Sequence, residues 1–130
     1  MEKVVAYIRC NPKEYILTQE NVLEDYAKNN NIKISKTYID NGFLPNDYNR
    51  NSLKNMLTDI ITNKIDTVLV TDLKVIGGDA SKTIYYINYF IEHNIRFIAI
   101  NDKFDNQNID DAYYCFNEIV EALNGKDTNN

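Results

Sequence analysis

Residues 65–79, IDTVLVTDLKVIGGD, change character halfway along. From Thr67 to Thr71 the run is short, continuous and rich in β-branched and apolar side chains, the pattern of a strand buried on both faces. From Asp72 the stretch turns polar, with Lys74, Gly77 and Gly78 leading to Asp79, which stands where an N-cap would open the helical pattern that follows. A buried strand that passes through a short polar loop straight into a helix is half of a βαβ unit, so this stretch predicts a parallel sheet.

Working outward, the same alternation repeats. Apolar runs at Lys3–Arg9, Ile32–Ile39 and Ile95–Ile100 predict three more strands. Between the first two strands, NVLEDYAKN places Val22, Leu23, Tyr26 and Ala27 on one helical face. Leu53, Met56, Leu57, Ile60 and Ile61 follow the i, i+3, i+4, i+7, i+8 spacing of a second helix. TIYYINYFIEHN is apolar over a wider arc, and Tyr85, Tyr86 and Tyr89 cannot all face one core. A last helix, Ile109–Asn124 with Asn108 as its N-cap, carries Ala112, Tyr113, Phe116, Ile119, Val120 and Leu123 on one stripe, before a polar tail at residues 125–130. The expectation is a single α/β domain over residues 1–124 with a mainly parallel sheet.

The bulk composition narrows the function classes. With 130 residues, 44% hydrophobic and 12% aromatic, the chain can bury one core but not two. The longest apolar runs fall well short of the roughly 20 residues of a membrane span, and the expected location is cytoplasmic with no membrane contact. A net charge of −5 argues against a surface that attracts DNA everywhere, so any nucleic-acid contact must be local. Cys10 and Cys115 have no metal or redox spacing and read as small packed hydrophobes; no cofactor or metal is expected.

In an open parallel sheet, ligands bind beyond the carboxyl ends of the strands, where neighbouring connections leave toward opposite faces. If the first and third strands are neighbours, the 9–19 segment, RCNPKEYILTQ, meets the 72–79 loop there, and the 40–50 segment, DNGFLPNDYNR, brings in Arg50. Arg9, Asn11, Arg50, Asp72, Lys74 and Asp79 are therefore the candidate polar rim of a site.

Five pieces, YIRCN, LEDYAKNNNIKISKTYIDNGF, YNRNSLKNMLTDI, IDTVLVTDLKVIGGD and IRFIAINDKFD, taken in order, resemble the catalytic domain of serine recombinases of the resolvase and invertase family, above all its large-recombinase branch. The resemblance implies a three-layer α/β/α fold with strand order 2-1-3-4. It also implies phosphodiester exchange, in which a serine after the first strand attacks DNA phosphorus while arginines stabilise the phosphoryl oxygens. The family's Tyr-x-Arg-x-Ser reads here Tyr7-Ile8-Arg9-Cys10-Asn11, which puts Asn11 at the nucleophile's position. A carboxamide nitrogen, its lone pair delocalised into the carbonyl, does not attack phosphorus. Val75 and Gly78 stand where two further arginines are expected, leaving Arg9 and Arg50 with Gln19, Lys74 and Asp79 as the substrate-facing remainder.

The reading that follows is a vestigial site on a catalytically inactive homologue that acts through protein contacts, as a homodimer or a hetero-oligomer with a full-length serine recombinase, and meets DNA only weakly or through that partner. The family continues into a long dimerising helix and a DNA-binding region, whereas the last helix here is expected to end at Asn124. The alternatives are a residual recombinase, with Cys10 rotated outward by a bulge as one substitute nucleophile, and a small phosphate-binding or anion-binding module using Arg9 and Arg50. Asp102, Asp105, Asp110 and Asp111 lack calcium-loop spacing and read as a solvated acidic loop. His93 reads as a helix-end residue in favourable contact with the dipole.

Overall fold

The computed structural model describes residues 2–11, 14–42, 50–62 and 64–107. The last predicted helix, with Cys115, Asp110 and Asp111, lies outside the described residues, as do Pro12, Lys13 and the 43–49 segment.

Five described strands form one sheet in the order β2-β1-β3-β4-β5. They are β1 (Val4–Cys10), β2 (Ile34–Asn41), β3 (Thr67–Val70), β4 (Arg96–Ala99) and β5 (Phe104–Asp105). The first four run parallel, and β5 closes the far edge antiparallel to β4, with Ala99 opposite Phe104. The described α-helices are α1 (Glu14–Asn29), α2 (Asn51–Thr62) and α3 (Ala80–Glu92). The order expected from the family resemblance is present, with β5 as an addition. Two residues with no alternation of their own give no strand signal; β5 is held by its partner, through Arg96 donating to the Asp105 carboxylate at 2.6 Å. Asp105 is thus part of an ion pair, and Asp102 accepts from the Leu73 amide at 2.7 Å, so neither belongs to a merely solvated acidic loop.

Period-two alternation along β1 sorts the core into two layers. Val4, Ala6 and Ile8 pack with Leu23 under α1. Val5 and Tyr7 face the other way, toward Leu53, Met56 and Ile60 of α2 and Ile87 and Phe90 of α3. The result is the expected α/β/α layering. Of the α2 stripe, Ile61 departs: it is 63% exposed, because each residue turns about 100° around the helix and carries it past the edge of the buried face. The α3 tyrosines divide as their spacing demands, with Tyr86 buried, Tyr85 exposed, and Tyr89 half-buried and donating to the Leu57 carbonyl at 3.2 Å. His93 ends α3 with Nδ1 2.9 Å from the Tyr89 carbonyl.

α1 begins several residues earlier than the apolar stripe suggests, so Gln19 sits on a helix and not in a loop. Leu17, 63% exposed, breaks the stripe over its first turns. Gly77 is not there for a positive φ; among the described residues the glycine with positive φ is Gly42, at 90°. What Gly77 supplies is room, since a Cβ there would lie 2.6 Å from both the Thr83 amide nitrogen and its Oγ1. Gly77→Ala should therefore cost about 1–3 kcal/mol through overpacking at the start of α3. Urea denaturation tests this, and an unchanged midpoint would show that the α3 N-terminus moves aside freely.

Candidate functional site

Because β1 feeds α1 on one face and β3 feeds α3 on the other, a crevice opens between the ends of these neighbouring strands. It encloses about 230 Å³, and Arg9, Cys10, Asn11, Gln19, Thr71 and Lys74 are among the residues lining it. Five of the residues singled out in the sequence, Arg9, Asn11, Gln19, Asp72 and Lys74, are thus brought together. Asn11 is exposed at the end of β1, and Gln19 reaches back from α1 to donate to the Arg9 carbonyl at 3.0 Å.

Arg50 and Asp79 lie elsewhere. Asp79 caps α3, its Oδ1 accepting from the Lys82 amide at 2.8 Å. Arg50 is fully buried behind the 72–79 loop. Its Nη2 donates to the Ile76 carbonyl at 2.7 Å, and its Nη1 donates to the Val75 carbonyl at 2.9 Å and to the Tyr7 hydroxyl at 3.2 Å. Arg9 approaches the same loop from the crevice side, donating from Nη2 to the Lys74 carbonyl at 2.9 Å and, at longer range, from Nε to the Val75 carbonyl. Both arginines left from the family pattern are therefore fastened to three consecutive backbone carbonyls.

A fork of planar N–H groups suits such a task, because carbonyls turned inward by a 3₁₀ turn (Leu73–Val75) need donors once they leave water. The turn points inward because its side chains do: Leu73, Val75 and Ile76 are all buried in the α2/α3 layer of the core. Lys74, between them, is exposed.

Behind Arg50 the network continues into residues whose bonding the sequence reading missed. Tyr7 donates to Asp40 at 2.8 Å, and the Asp40 carboxylate accepts the Ser52 and Leu53 amides, each at 2.9 Å, at the start of α2. Asp40 is buried, with donors on both carboxylate oxygens. Burial pushes the Tyr7 phenol well above the ordinary tyrosine range; the Arg50 charge opposes this, while the Asp40 charge and hydrogen bond reinforce it. Burial, and after it the charge of Arg50, holds the Arg9 guanidinium below its usual value. The available signal for Asp40 was its place directly after the predicted second strand; the structure sets it opposite Arg9 in the register.

Cys10 is buried, as a small packed hydrophobe should be, yet it joins neither core layer: it lines the crevice, and its Sγ meets the Asn41 Oδ1 at 3.5 Å. The register shift in β1–β2 pairing falls between Val4 and Val5, at the opposite end of the strand. Among the described residues no group of three or more His, Cys, Asp or Glu side chains could hold a metal ion, and no described helix is long and apolar enough to cross a membrane.

The fold and its crevice define the class: a resolvase-type α/β/α catalytic-domain scaffold. The chain belongs to the resolvase family, whose N-terminal domain matches residues 4–124. Among solved structures it is similar to the N-terminal catalytic domain of TP901-1 integrase, at 29% identity and a TM-score of 0.78, covering 97% of this chain and 96% of that one. A resolvase-family site-specific recombinase from Streptococcus pneumoniae shares the fold at 19% identity and a TM-score of 0.74, over 93% of this chain and 87% of that one. So does the C-terminal catalytic domain of ISC1926 TnpA, an IS607-like serine recombinase, at 20% identity and a TM-score of 0.68, over 75% of this chain and 68% of that one. A comparison with curated proteins gives no match.

Proposed function

We propose that this chain is a catalytically inactive serine-recombinase domain that works through protein contacts, either with a second copy of itself or in a mixed oligomer with a full-length serine recombinase. The observation that carries this reading is the state of the crevice. An amide, Asn11, occupies the position that the family pattern gives to the nucleophile, and the two retained arginines are engaged with the backbone of the facing loop. Val75, at one expected arginine position, packs in the core layer and gives the crevice an apolar wall. Phosphoryl transfer needs an activated nucleophile and cations arranged to meet developing negative charge; Asn11 supplies no nucleophile, Arg9 and Arg50 are held by the loop, and Lys74, exposed among the described lining residues, lacks the fork of a guanidinium. The acidic chain, with a net charge of −5, supports contact with DNA only weakly or through a partner.

Two measurements test this. On supercoiled plasmid the protein should form no covalent protein–DNA adduct under conditions in which an active family member does; an adduct would end the inactive reading. In sedimentation with a full-length serine recombinase, a mixed species should form, and its absence would remove the regulatory version of the proposal.

A further inference from the structure

A second concavity lies away from the crevice, along the edge of the sheet. Among the described residues β2 is hydrogen-bonded to β1 on one side only, being the terminal strand of the sheet. Between it and α1 runs a groove of about 400 Å³. Its floor is apolar, from Leu23, Ala27, Ile32 and Ile34, and its rim carries Glu20, Glu24, Lys28 and Lys33.

The charges on the rim are sorted by end. Gln19 donates to the Arg9 carbonyl, which fixes the neighbouring Glu20 near the carboxyl end of β1, with Glu24 one turn further on. The Ile32 amide donates to the Ala27 carbonyl at 2.8 Å, which fixes Lys28 and Lys33 beside the start of β2. The groove therefore runs from acidic to basic along α1, with Glu20 roughly 12 Å and Glu24 roughly 6 Å from Lys28 at 1.5 Å per residue. Among the described residues no ion pair joins these four side chains.

We propose that two copies of this chain pair through this groove about a two-fold axis. A two-fold perpendicular to the groove reverses its direction, so the acidic end of each copy meets the basic end of the other, and the contact is made twice. The same operation sets the two β2 edges antiparallel, where their outward backbone groups can bond to each other beyond Ser35, the extra residue that shifts the register at the start of the strand. Lys36, a residue of the type that usually guards such an edge, does not stand in the way. Its ammonium is drawn to the opposite face of the sheet, 3.7 Å from the Asp59 carboxylate and 4.6 Å from the Tyr38 ring centre. A uniformly charged occupant such as a nucleic-acid backbone would be attracted at one end and repelled at the other. The chain itself supplies the reversed order of charge by symmetry. The pairing gives the protein-contact reading a defined surface and rests on that reading for its biological use.

A charge swap in the full chain tests it. Lys28→Glu with Lys33→Glu makes a copy acidic at both ends; Glu20→Lys with Glu24→Lys makes one basic at both. By analytical ultracentrifugation each reversed copy should self-associate at least about tenfold more weakly than wild type, because like charges face each other. An equimolar mixture should recover association at least as tight as wild type, since both ends are then complementary. Reversed copies that pair as well as wild type, a mixture that fails to recover, or a wild type that is monomeric at about 1 mM would each overturn the proposal. An adduct on plasmid DNA would refute the inactive reading and leave this result untouched, so the two failures are distinguishable.

Discussion

Replacing Arg50 with alanine should lower the folding stability by about 4 kcal/mol, a large share of the roughly 5–15 kcal/mol that a domain of this size has. Arg50 has no solvent exposure, and its guanidinium is a donor to the Val75 and Ile76 carbonyls at 2.9 and 2.7 Å and to the Tyr7 hydroxyl. Truncation leaves two carbonyls buried without this donor, at about 1–3 kcal/mol each, and adds a cavity beside Tyr7. Arg50→Lys keeps a positive charge but loses the fork, since one ammonium cannot reproduce two separate planar N–H groups, and should lose about 2 kcal/mol. Urea denaturation followed by circular dichroism measures both. If the alanine variant does not fold, the lysine variant still gives the answer: a loss below about 1 kcal/mol would mean that the loop carbonyls find other donors easily and that Arg50 is not the latch described.

The large features of the fold were legible because they rest on local patterning. The four parallel strands begin and end within two residues of where their apolar runs begin and end, and the buried stripes of α2 and α3 follow from helical spacing. What was not legible depends on contacts distant in sequence. β5 has two residues and exists by pairing with β4. The early start of α1 is masked by an exposed Leu17. Gly77 invites a reading as a turn residue, yet its reason is the close approach of Thr83, which only the packed structure reveals.

The site divides along the same line. That Arg9, Asn11, Gln19 and Lys74 share one crevice follows from strand order, because the ends of adjacent parallel strands must meet. That Arg50 sits behind the loop could not be read from sequence. An arginine aimed at a ligand and one aimed at a carbonyl look alike in a string of letters. The choice is made by Val75 and Ile76, whose burial turns their backbone carbonyls toward the guanidinium. Asp40 was hidden for a related reason: its partners, Tyr7 on β1 and the Ser52 and Leu53 amides of α2, are joined only by the fold.

Restoring the hydroxyl alone should not restore the chemistry. Asn11→Ser is expected to leave covalent adduct formation on supercoiled plasmid at least about 10⁴-fold below an active family member assayed alongside, taking each of two missing cationic donors at roughly 100-fold. Adding the donors back is expected to fail for a structural reason. Val75 is only 4% exposed: it packs with Leu73 and Ile76 in the core layer beneath α2 and α3 and shows the crevice no more than an edge. Val75→Arg must either place a long cation there or pull the turn outward, and either course should cost about 2–4 kcal/mol. Pulling the turn outward would also carry its carbonyls away from Arg9 and Arg50, so the latch and a repaired cation cluster compete for the same backbone. The decisive comparison is adduct yield for Asn11→Ser beside its urea midpoint. A folded Asn11→Ser variant that reaches within about tenfold of the active relative would show that Arg9 and Arg50 release the loop to a phosphate. The loop carbonyls would then be a resting position for those arginines, and the crevice an active site lacking only its nucleophile.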